Sequence, residues 1–167
     1  MGTGAVGMPL RETIERLRDA RGERDDPAEI VARWTGAVSR LYADIAGWLK
    51  PYVDDGDLIL ERTARAVHEE ATGTYEIDVL DIGVGPETVR LEPKGAVVIG
   101  ALGRVDMFRL GSGDPMFIVL TGPAQQPTWS LVKPSERGRS TALTKETFEA
   151  TLDELLAAYS LRSESTM

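Results

Sequence analysis

The chain has 167 residues, 42% of them hydrophobic and 28% charged, with no cysteine, a single histidine and a net charge of −8. That composition fits one globular domain, here taken as residues 1–167, and excludes disulfides, thiolate metal sites and cysteine nucleophiles. It leaves all imidazole chemistry to His68 and disfavours nucleic acid, whose phosphates call for a basic surface.

Residues 1–70 carry 10 Lys+Arg against 14 Asp+Glu, and the rest carry 9 against 13, so neither half is a charged tail. Arginine outnumbers lysine 15 to 4 and asparagine is absent, the bias of GC-rich coding. No apolar run approaches the ~20 residues of a membrane span, and the amino terminus lacks the charged and apolar regions of a secretory signal. These features read as a bacterial-type cytoplasmic protein without a membrane partner.

Residues 1–8 and 160–167 are expected to be disordered tails. Gly2, Gly4 and Gly7 spell G-x-G-x-x-G, but no strand can precede them, so they are no dinucleotide site. Pro9 suits a first helical turn. Leu10, Ile14, Leu17 and Ala20 then form a thin apolar edge on a helix ending near Gly22.

Residues 28–50 dominate the chain. Ile30, Val31, Trp34, Val38, Leu41, Tyr42, Ile45, Trp48 and Leu49 recur every three or four residues, the spacing of one helix face. Asp25 or Asp26 before Pro27 starts this helix. A stripe of small residues, Ala32, Gly36, Ser39, Ala43 and Gly47, runs opposite. It is expected to receive either the amino-terminal helix or a second subunit. Asp54, Asp55 and Asp57 read as a turn around Gly56, since the calcium-loop spacing is absent.

Leu58 to Leu60 start a short strand or helical turn, and ERTARAVHEEA leans to a short helix. From Gly73 the period changes to two. Residues 75–82, 87–93, 96–102, 103–111, 116–120 and 128–133 read as strands joined by turns too short for crossover helices. A polar loop, SERGRSTAL, leads to a last helix capped by Thr144, with Phe148, Leu152, Leu155, Leu156 and Tyr159 on its apolar face. The expected fold is α+β: a curved antiparallel meander of about six strands, with the long helix and the carboxy-terminal helix on one face.

Alternation would leave a polar sheet face. Glu76 and Asp78, Arg90 and Glu92, and Arg104 and Asp106 would project from three neighbouring strands. The plain account is cross-strand ion pairing; the sharper one is a binding surface made of Asp78, Arg90, Glu92, Arg104, Asp106 and Trp129. Lys133, Arg137, Arg139 and Lys145 make one basic loop, open to a phosphate or acidic ligand. No catalytic residue, metal site or cofactor is assigned, because no nucleophile elbow, P-loop or zinc motif occurs.

Two functions follow. One is a non-catalytic protein-binding module, inhibitor- or immunity-like, whose acidity suits a basic protein partner. The other is a small-ligand binder or enzyme using carboxylates and arginines on the polar sheet face. A homodimer, through the small-residue stripe or a sheet edge, fits either.

Overall fold

The computed structural model describes residues 8–24, 26–96, 101–112, 114–136 and 139–165. Among the described residues three α-helices accompany a seven-stranded antiparallel sheet. Helix α1 is Met8–Arg24 and α2 is Pro27–Asp54. Strands β1 (Ile59–Glu69), β2 (Gly73–Val84), β3 (Glu87–Gly95), β4 (Gly103–Arg109), β5 (Met116–Thr121), β6 (Thr128–Val132) and β7 (Ser140–Ala142) follow, then α3 (Lys145–Ser165). Spatial order equals chain order.

Helix α2 starts where its sequence says it should. Asp26 is extended and accepts a hydrogen bond from the Ala28 amide at 3.1 Å, with Pro27 behind it. That geometry satisfies one orphan donor of the first turn. Ile30, Trp34, Val38, Leu41, Tyr42, Ile45 and Leu49 are buried, as is Ala37. The helix does not stop at Pro51. Pro51 gives up its own N–H bond and crowds the carbonyl four residues back, yet one more turn runs to Asp54 before Gly56, at φ 81°, reverses the chain.

Helix α1 forms, but its apolar edge stays in solvent: Leu10 is 68% and Leu17 64% exposed. Ala32, Ser39, Ala43 and Gly47 on α2 are exposed too. The small-residue stripe is therefore not filled by that edge, which is too thin to offset the ordering of two helices.

The expected helix over ERTARAVHEEA is a strand. β1 pairs residue for residue with β2, from Ile59↔Gly83 to Glu69↔Gly73. Its Glu, Arg and Ala residues favour helix intrinsically, and the ladder with β2 overrides that small preference. The strand expected at 96–102 falls largely outside the described residues; Ala96 follows β3 and Leu102 precedes β4, its amide 2.7 Å from Leu120 O. The loop before α3 contains β7, which pairs with β6.

The core lies between the sheet and the two longer helices. Ile82, Val89, Leu91, Val105, Met107, Ile118 and Leu120 face α2 and α3 and are buried. Trp48 of α2 meets Phe148 of α3 at 5.7 Å between ring centroids. Thr144 and Thr147 cap α3 reciprocally: the Thr147 amide donates to Thr144 Oγ1 at 3.2 Å and the Thr144 amide to Thr147 Oγ1 at 2.8 Å. Among the described residues no helix is long and apolar enough to cross a membrane.

Candidate functional site

Ladder registers decide which side chains share a face. Asp81 lies opposite Arg90, Glu92 opposite Asp106, and Asp106 opposite Phe117. These residues, with Arg104, occupy the sheet face away from the helices. Arg90 grips Asp81 with two hydrogen bonds, at 2.8 and 3.0 Å. Arg104 Nε lies 2.9 Å from Asp106 Oδ1, and its guanidinium stacks over Phe117 at 4.4 Å. Glu92 is shared between Lys94 at 3.2 Å and Arg65 at 3.6 Å.

Four of the expected residues, Arg90, Glu92, Arg104 and Asp106, are thus brought together. Asp78 is not among them. It has the opposite parity to Asp81 and pairs with Arg62 at 2.9 Å, beside the ring of Tyr42. Glu76 shares that parity. Trp129 lies opposite Leu120 on the helix side, 6.0 Å from Trp34, so it packs in the core and presents no stacking platform. Asp81 was missed because the apolar pattern of β2 changes face within it. Val79 and Leu80 are consecutive and both buried.

That change marks a parting of strands. β2 pairs with β3 only from Leu80 to Val84. At the fork the Tyr42 hydroxyl donates to Asp78 O at 2.8 Å, with Leu91 O at 3.3 Å. Burial pushes the Tyr42 phenol well above its ordinary range. It stays protonated and serves as a donor.

The Asp106 carboxyl is held above its usual range. Burial drives it up, and Arg104 and Lys94 pull it back only in part. The Arg90 guanidinium is moved further up, chiefly by its hydrogen bonds to Asp81. Chemically the centre of the face is a set of matched charges: Asp81 with Arg90, Glu92 with Lys94 and Arg65, and Asp106 with Arg104. His68 is no exception to this economy: its Nδ1 sits 2.9 Å from Thr74 Oγ1 across the β1–β2 hairpin. Among the described residues no cluster of three or more His, Asp or Glu could hold a metal ion.

A different site is legible only in three dimensions. The last turns of α2 and the middle of α3 enclose an apolar groove of 180 Å³, floored by Leu49, Leu58, Leu152 and Leu156. Tyr52, 43% exposed, stands at its edge. Glu149 and Asp153 line it as well, and the acidic turn 54–57 connects Tyr52 to Leu58. Glu149 Oε1 is buried and has no hydrogen-bond partner among the described residues. Glu149 and Asp153 sit four apart on α3, the spacing of a solvated helix face, so nothing in the sequence alone separates them from their neighbours.

No family model, curated protein or solved structure matches this chain.

A larger cavity, 380 Å³, opens between Ser112, Met116, Ser135 and Leu155. Lys133, the first residue of the basic loop, is tied there to Glu154 at 2.9 Å. Arg137 lies outside the described residues.

Proposed function

We propose that the chain is a non-catalytic protein-binding module that receives a basic segment of a partner in the groove between α2 and α3. One observation carries this reading: an apolar floor meets two carboxylates, one of which has a buried oxygen without a donor. An unsatisfied buried acceptor costs about 1–3 kcal/mol, and an incoming ammonium or guanidinium would supply the missing bond. The groove also falls short of the ~300–1,000 Å³ usual for small-molecule sites. Its size suits a single anchoring side chain, the form that protein hot spots take. The net charge of −8 adds steering of a basic partner.

The alternative places a small ligand or substrate on the polar sheet face. There a ligand would have to displace Asp81 from Arg90 or Asp106 from Arg104, whereas the groove needs nothing displaced.

The test is comparative capture from source-cell lysate with wild-type protein and with a Glu149→Gln/Asp153→Asn double variant of equal thermal stability. A basic protein held by the wild type and lost from the variant supports the reading. A partner held equally by both, or lost only on charge changes at Arg104 and Asp106, overturns it.

A further inference from the structure

β1 is an outer strand of the sheet. It pairs with β2 along its whole length without a bulge, and among the described residues no strand pairs with its other edge. A long open edge is a template for another strand, and the side chains it carries decide which strand can fit. Ile59, Glu61, Thr63, Arg65 and Val67 alternate onto one face of β1. Ile59 is 70% exposed. Glu61 has no ion pair within the described chain, and Arg65 makes only the long 3.6 Å contact to Glu92.

This row is complementary to itself. When a second copy lies antiparallel with the two-fold axis through Thr63, Ile59 faces Val67 of the other copy, Glu61 faces Arg65, and Thr63 faces Thr63. The apolar pair and the charge pair each then form twice by symmetry. Slipped registers lose these pairs. Centring on Arg65 sets Arg65 against itself and Glu61 against Glu69. Centring on Ala64 sets Ile59 against Glu69. Centring on Val67 opposes Arg65 and Glu69, but overlaps only the last part of the strand, and Glu69 already receives the Tyr75 hydroxyl and the Ala96 amide. Mixed charge along the edge therefore disfavours these slips and favours the register centred on Thr63, the one that forms both the apolar and the charge pairs.

We propose that the chain forms a symmetric dimer by β1–β1 pairing centred on Thr63, joining the two sheets into one continuous antiparallel sheet with the helices of both copies on the same side. The groove between α2 and α3 plays no part in this contact, so the dimer stands or falls independently of the binding reading.

Charge reversal tests it. Sedimentation equilibrium of the wild type should show a monomer–dimer equilibrium that weakens with salt. Glu61→Arg and Arg65→Glu should each weaken it about tenfold or more, by placing like charges opposite. An equimolar mixture of the two variants should restore a heterodimer, since each then supplies the charge that the other lacks, and the combined variant should restore the homodimer. Circular dichroism on each variant separates loss of pairing from loss of fold, and the rescue by mixing cannot come from misfolded chains. A wild type that stays monomeric at its highest soluble concentration overturns the proposal. So does a dimer indifferent to both reversals.

Discussion

The hydroxyl of Tyr42 reaches the carbonyl oxygen of Asp78 at 2.8 Å, where β2 leaves β3. A side chain from α2 thus replaces the ladder bonds that the parting strands no longer give each other. Removing the hydroxyl leaves buried carbonyl oxygens without that donor. Tyr42→Phe is expected to lower stability by about 1–2 kcal/mol, read as a fall in urea midpoint with an unchanged slope. A midpoint equal to wild type would mean that the fork is held by packing alone.

The same hydroxyl sets an alkaline limit. The phenols of Tyr42 and Tyr75 both titrate above their ordinary range, mainly because they are buried, with Glu69 adding to the effect at Tyr75. An unfolded phenol ionises near pH ~10. A group raised on folding contributes stability that is complete below its unfolded value and is lost as pH climbs toward the folded one. Stability should therefore decline above about pH 10, and Tyr42→Phe should make that decline shallower. Urea midpoints collected across this range decide it; parallel curves for wild type and variant would contradict it.

Asp106 gives the acidic counterpart with the same sign. Its carboxyl is raised by burial, so its ionised form is disfavoured in the folded state. That contribution is favourable below the unfolded value near ~4 and is lost as pH rises through the folded value. Asp106→Asn does not titrate. Its stability relative to wild type should accordingly improve between pH 3 and pH 7. Thermal melts of both proteins at the two pH values test the direction, and an opposite trend would show that the Arg104 contact outweighs burial.

Gly103 offers a steric prediction. A Cβ there would lie 2.2 Å from Cζ3 of Trp34, a ring that is 1% exposed and packed against Trp129. Neither the indole nor the strand can yield without disturbing the core. Gly103→Ala should cost about 3 kcal/mol or more, with a change in tryptophan fluorescence. A stable variant with native fluorescence would show that the ring has room to shift.

The parts visible in the sequence were those that depend on local period. α2 was legible because its apolar face repeats for many turns, and Thr144 because a cap acts on its own helix. β1 was not, since Glu61, Arg62, Ala64, Arg65 and Ala66 carry a helical preference that only pairing with β2 overrules. Arg90, Glu92, Arg104 and Asp106 share one face of the sheet, as strand alternation implies. Asp78 lies on the other face, because the buried side of β2 changes at Val79 and Leu80. The groove could not have been read at all. Leu49 and Leu58 meet Leu152 and Leu156 only once the meander has brought the chain back.

Strand order that follows chain order also shapes how the protein reaches its fold. Each ladder closes a short loop on a hairpin already made, so the sheet can grow by small entropic steps. The meeting of Trp48 with Phe148 is different, for it joins the two ends of that growth. Helix docking across it is the natural last event, and a truncation at Phe148 is expected to quicken unfolding far more than it slows folding. The same closing contact lies beside the acidic groove, on Trp48's neighbour Leu49 and Phe148's neighbour Glu149. That groove would then be the last part of the molecule to exist and the first to disappear.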